Sequence, residues 1–85
     1  MEELRTIIGE NLAELRKEKK LTQLELADKF NYSDKAISKW EKGDTLPDIE
    51  TLYALCYFYG VTLDYLTHPG TRKEKSSFPA AEFEL

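Results

Sequence analysis

Residues 31–43 read NYSDKAISKWEKG, and within them Asp34, Lys35, Ser38 and Lys39 recur at steps of one and three. On a helix that spacing gathers all four on one face, with Lys42 a turn beyond Ser38 and Lys39. A carboxylate, a hydroxyl and ammonium groups so arranged suit hydrogen bonding and charge pairing with a polar partner. Bond-making chemistry has no such support. The chain shows no acid/base pair, activated nucleophile or phosphate-cradling loop, so an enzyme is not expected. His68, the single histidine, lies beside Pro69, and the single cysteine, Cys56, sits among Leu52, Leu55 and Tyr59 as a small buried hydrophobe would. Metal ligation, Cys/His nucleophile chemistry and cofactors therefore drop out.

The elements that must hold this face are short helices. Eighty-five residues, 41% hydrophobic and 33% charged, make one small globular domain. No strand-like alternation appears, and apolar residues recur three and four apart through position 66. Leu4, Ile8, Leu12 and Leu15 stripe a first helix expected to end near Lys20, with Arg16, Lys17, Lys19 and Lys20 crowding its C-terminal end. Thr22 opens the capping box TQLE for a second helix, about Gln23 to Phe30, which Asn31 ends in a left-handed conformation. Ser33 caps a third helix that Gly43 closes, Asp48 a fourth that Gly60 stops, and Thr62 a fifth through Leu66. Pro69 and Gly70 break the pattern, which divides the chain into a folded domain at 1–67 and a flexible tail at 68–85.

Two helices of about eight and ten residues joined through Asn31 and Tyr32 make a helix-turn-helix. Ala27 is small enough there to let the two backbones approach, and Ile37 and Trp40 share an inward face. That assigns Trp40 to the core rather than to a stack on a base.

The formal charge of -4 opposes nucleic acid at first sight, because phosphate neutralisation dominates such binding. The charge is unevenly placed, however. Residues 1–43 carry nine Lys+Arg and nine Asp+Glu, so the whole excess belongs to residues 44–85. A local basic face on the first half is compatible with an acidic chain. The longest nearly apolar run, Leu52–Val61, is too short to span a membrane, and no basic start precedes an apolar block. With one cysteine and no signal peptide, the expected location is cytoplasmic.

The segments LRKEKKLTQLELADKF, SDKAISKWEKG, LPDIETLYAL and YGVTLDYL, in that order, resemble the DNA-binding domain of phage repressors and Cro proteins, the XRE family of transcriptional regulators. The resemblance covers residues 4–66. It implies an all-α, five-helix, lambda-repressor-like domain whose third helix enters the major groove of double-stranded DNA. Position by position it places Asp34, Lys35, Ser38 and Lys39 among base-reading side chains, and Gln23 where a glutamine meets phosphate and reaches the first base pairs. It also implies that Arg16 and Glu41 join the first and third helices, a structural pair whose loss is not expected to alter sequence preference.

The residues agree with that assignment. Lysine donates to guanine O6 and N7, and aspartate accepts from cytosine N4. Thr22, Gln23 and the free amides opening the second helix suit a phosphate. Ser33 and Lys42, at the two ends of the third helix, complete the expected DNA-binding set. Two departures from the family pattern stand out. Asp44 and Asp48 flank a loop where Lys or Arg would help phosphate contact, and Lys20 and Asn31 take turn positions where glycine is common.

The expected function is a sequence-specific regulator, a repressor bound as a dimer to an inverted-repeat operator. Exposed Tyr53 and Tyr57, with Phe58 near them, mark a homodimer face that Phe78, Phe83 and Leu85 of the tail can extend. The alternative is an antitoxin or interaction module that uses the same fold to hold a protein partner through this aromatic face or the tail.

Overall fold

The computed structural model describes residues 3–69, so that all but His68 and Pro69 of the expected tail at 68–85, with Phe78, Phe83 and Leu85, lies outside them. Five helices follow one another: α1 (Leu4–Glu18), α2 (Gln23–Phe30), α3 (Asp34–Lys42), α4 (Ile49–Tyr59) and α5 (Leu63–Leu66). No strand occurs among the described residues. The all-α expectation holds.

Local chemistry sets most of the boundaries. Thr22 Oγ1 accepts from the Glu25 amide at 3.0 Å while the Thr22 amide donates to Glu25 Oε1 at 2.8 Å, completing the capping box. Ser33 Oγ accepts from the Ala36 amide, Asp48 Oδ1 from Thr51, and Thr62 Oγ1 from Tyr65. The bonds to Thr51 hold the Asp48 carboxyl below its ordinary pKa. Asn31, Gly43 and Gly60 end α2, α3 and α4 in the left-handed region, with φ of 62°, 81° and 71°.

The first helix departs from expectation at both ends. It stops at Glu18 rather than Lys20, because Lys20 itself turns left-handed at φ 59°. That is the conformation for which glycine is suited, so lysine here carries a local backbone cost. Leu4, expected in the inward stripe, is 52% exposed, and Ile7, Ile8, Asn11, Leu12 and Leu15 form the buried side instead. The core does not extend far enough to cover the first residue of α1.

Ile37, Leu55 and Leu66, all fully buried, sit in the centre with Leu12, Leu15, Leu26 and Ala27 around them. Trp40 is buried and meets the Tyr32 ring edge-on at 4.8 Å, so its core assignment is correct. Tyr32 in turn bonds Thr51 through its hydroxyl at 2.9 Å, which ties the helix-turn-helix to α4.

Two positions fix how α1 lies. A Cβ on Gly9 would stand 2.8 Å from the Glu41 carbonyl oxygen and closer still to that of Trp40, so α1 meets the backbone of α3 directly. Gly9→Ala gains about 1 kcal/mol of helix propensity. It must also push the two backbones apart, and we expect a net loss on the order of 1–3 kcal/mol, seen as a lower urea midpoint at unchanged m-value. At the other end Asn11, buried to 3% exposure, donates its Nδ2 to the carbonyls of Tyr65, Leu66 and His68 at 3.3, 3.0 and 3.1 Å. One amide thereby serves the carbonyls at the end of α5, and the domain's hydrogen bonding reaches His68.

Candidate nucleic-acid interface

The third helix turns two sides to two environments. Ile37 and Trp40 face the core, while Asp34, Lys35, Lys39 and Lys42 are exposed and Ser38 is half-buried. Among the described residues no intramolecular hydrogen bond or ion pair holds the ammonium groups of Lys35, Lys39 or Lys42. The outward face expected from the spacing is present, with Ser38 at its margin. Ser33 is exposed at the N-terminal end, its hydroxyl already committed to the Ala36 amide.

Beside it, the N-terminus of α2 presents exposed Thr22 and half-buried Gln23. Thr22 is engaged in the capping box, which leaves the amide of Gln23 free of a side-chain cap. Helix N-termini carry partial positive charge and unsatisfied N–H groups, so this end suits an anionic oxygen.

Between the two helices lies a buried polar knot. Arg16 Nε donates to Glu41 Oε2 at 2.7 Å and Arg16 Nη2 to Glu41 Oε1 at 3.0 Å, with the two side chains only 12% and 8% exposed. Arg16 Nη1 also donates to the Leu21 carbonyl at 2.8 Å, bracing the turn that contains Lys20. The bond to Glu41 raises the Arg16 pKa despite desolvation. Gln23 Nε2 donates to Glu41 Oε1 at 3.0 Å, so a residue assigned to DNA is also part of the knot. Gln23 and Glu41 stand 18 positions apart, and no local pattern connects them.

A second surface lies on α4. Tyr53 and Tyr57 are 73% and 84% exposed, as expected, and Ile49 continues their i, i+4 stripe at 69%. With Leu63 they rim an apolar groove of about 710 Å³ floored in part by Cys56 and Val61. Burial pushes the Cys56 thiol pKa up, in keeping with its reading as a small hydrophobe.

Phe58 does not join this stripe. One residue past Tyr57, it points about 100° around the helix and meets Phe30 and Tyr59 edge-on, at 5.6 and 5.1 Å. Lys19 and Lys29 extend over its ring at 5.2 and 6.0 Å. The Phe58 assignment is therefore corrected to packing within the chain, while Ile49 and Leu63, which the sequence reading passed over, belong to the exposed face.

Two short capped helices, the second carrying its polar face outward from a core shared with three more helices, define a helix-turn-helix domain. The helix-turn-helix family model matches residues 12–66, and the chain belongs to the XRE, or Cro/C1-type, branch of that family of DNA-binding transcription regulators. It is 46% identical over 58 residues to the HTH-type transcriptional activator BcrR of Enterococcus faecalis, a match that covers 68% of this chain and 28% of the relative. It is 42% identical over 60 residues to the uncharacterized HTH-type transcriptional regulator YqaE of Bacillus subtilis, covering 71% and 52%. Over 67 residues it is 37% identical to the uncharacterized HTH-type transcriptional regulator y4dJ of Sinorhizobium fredii, covering 79% and 87%. The chain thus spans about half or less of the length of the first two relatives. No solved structure gives a significant match. Among the described residues no helix is long and apolar enough to cross a membrane, and no group of residues is suited to a metal ion.

Proposed function

We propose that this domain reads double-stranded DNA in a sequence-specific way, as part of a transcriptional regulator. The observation that carries the proposal is the exposed polar face of α3, free of internal ion pairs and presented by a helix whose other side is locked in the core. A major groove about 12 Å wide admits such a helix. Asp34, Lys35, Ser38 and Lys39 would meet base edges. Thr22, Ser33 and Lys42 would flank them at the phosphates, with Gln23 between phosphate and the first base pairs.

A homodimer through the Ile49–Tyr53–Tyr57 stripe and Leu63 would set two copies of α3 about 34 Å apart, one turn of B-DNA, on an inverted repeat. Bound across a promoter, such a dimer would repress by occlusion. The Enterococcus relative is named an activator, so the sign of regulation depends on promoter geometry and on what else the whole protein carries. The exposed apolar stripe also favours a second reading, a module that holds a protein partner as antitoxins do.

Binding selection on randomised duplexes at two salt concentrations tests the proposal. We expect enrichment of a palindromic site and an affinity that falls as salt rises, with a log–log slope set by the number of phosphates contacted. No enriched sequence at low salt would overturn DNA reading and leave the protein-partner role. A monomer in sedimentation at high micromolar concentration would remove the α4 dimer.

A further inference from the structure

We infer that Gln23 is a base-reading residue selective for adenine and that Glu41 is the positioning residue that makes it so. The inference rests on the DNA-reading function proposed above and goes beyond it by assigning a hydrogen-bonding polarity. A glutamine amide has a carbonyl that accepts and an NH2 that donates, and either end can lead. Here the choice is settled from within the protein.

Glu41 is gripped by Arg16 through both of its oxygens, at 2.7 and 3.0 Å, and is almost fully buried. A carboxylate held this way accepts and has nothing to donate. Gln23 therefore turns its nitrogen inward, at 3.0 Å from Glu41 Oε1. The reverse orientation would set the amide carbonyl against a carboxylate oxygen in a site with little water to screen them.

What remains for a partner is the carbonyl oxygen and one N–H. Phosphate oxygens only accept, so a phosphate would use the N–H alone and leave the carbonyl to solvent. Adenine offers the N6 amino group as donor and N7 as acceptor, which together match both free groups of the amide. Guanine presents two acceptors at the same edge and leaves the carbonyl unpaired. The bond to Glu41 thus biases Gln23 away from a purely phosphate role and towards an adenine near the start of α2.

The expectation that the Arg16–Glu41 pair leaves sequence preference untouched is revised accordingly. The pair fixes α1 against α3, and through Gln23 it also reaches the base-contacting surface.

Three measurements on the intact chain decide the matter. In binding selection the wild type should enrich adenine at one symmetry-related position per half-site. Gln23→Met, which keeps the length of the side chain without its amide, should lose that preference by about 5- to 150-fold, with the salt slope unchanged. A uniform loss across sequences would make Gln23 a phosphate anchor and overturn the inference, as would no change at all; the salt slope stays the same in every case because glutamine carries no charge. Glu41→Gln can keep a partner for Arg16 yet lets the Gln23 amide face either way, so it should weaken the adenine preference while far-UV circular dichroism stays at the wild-type level. An undiminished preference in a folded Glu41→Gln protein would remove the positioning role.

The third measurement needs neither DNA nor a folded variant. In the nitrogen-15 spectrum of the free wild type, the Gln23 side-chain NH2 should show one proton shifted downfield and slowed in exchange. A solvent-averaged pair like that of an exposed glutamine would overturn the inference. Failure of the wild type to enrich any sequence would count against DNA reading itself, and the amide spectrum would still report the orientation separately.

Discussion

Lys39→Ala is expected to weaken binding to the selected DNA site by about 5- to 150-fold per half-site if Lys39 bonds a guanine edge, the equivalent of about 1–3 kcal/mol. In a dimer each substitution acts twice, so the loss in the full complex is on the order of 2–6 kcal/mol. The side chain is exposed, carries no internal hydrogen bond or ion pair among the described residues, and lies one turn beyond Lys35 on the outward face of α3. Its removal should therefore leave the unfolding midpoint close to the wild type and appear almost wholly in the binding isotherm. Titration of the preferred duplex and of variants at each base pair checks both points. A drop confined to one base pair marks a base contact, whereas an equal drop on every sequence, with a salt slope reduced by about one, marks a phosphate contact.

Glu41→Ala should have the largest effect on stability. It removes the acceptor of three hydrogen bonds at once and strands the Arg16 guanidinium at 12% exposure. Breaking a buried pair from one side costs about 3–5 kcal/mol, most of it from the charge left without a partner. A domain of this size has about 3–10 kcal/mol in all, so the variant should be partly unfolded near physiological temperature. Replacing both members with methionine removes the stranded charge, and the double variant should be more stable than Glu41→Ala. Urea unfolding of the three proteins reads the comparison directly, and a double variant weaker than the single one would refute this account of the knot.

These effects show which parts of the molecule were readable in the chain. The limits of α2 to α4 were, because each is set within a few residues: a Ser, Thr or Asp three positions ahead of the amide it accepts from, and an Asn or Gly behind; α5 has the cap at its start only. The end of α1 was legible only through the resemblance, which sets Lys20 at a turn position where glycine is common. Its C-terminal run of Arg and Lys continues the helical pattern through Lys20, and only the chain reversal into α2 forces that lysine left-handed. Leu4 fits the periodic stripe as well as Leu12 does, yet burial depends on how far the other helices reach, which periodicity alone does not contain.

The outward face of α3 was legible from its spacing, and the pair Arg16–Glu41 from resemblance. The attachment of Gln23 to that pair was hidden, since it depends on the crossing of α2 over α3. Gly9 and Asn11 were silent for a similar reason. A glycine and an asparagine inside a helix look like weak helix formers until a second backbone is placed against them. Tyr53 and Tyr57 were found by their i, i+4 step, and the same step extended back one turn reaches Ile49. Phe58 shows that adjacency in sequence is a poor guide to a shared helix face.

The Asn11 amide has a further consequence for how the domain comes apart. It joins positions 54 to 57 residues distant in the chain, and α5, four residues long, has little helical tendency of its own to fall back on. When that amide lets go, Tyr65 and Leu66 are expected to leave the core together, ahead of the capped helix pair around Ile37. Because Leu66 is fully buried, that opening should cost much of the core and lie only somewhat below complete unfolding. In amide hydrogen exchange, protection would be lost first at residues 65–68 and last in α3, so that the helix with the exposed polar face outlasts the seam that closes the fold.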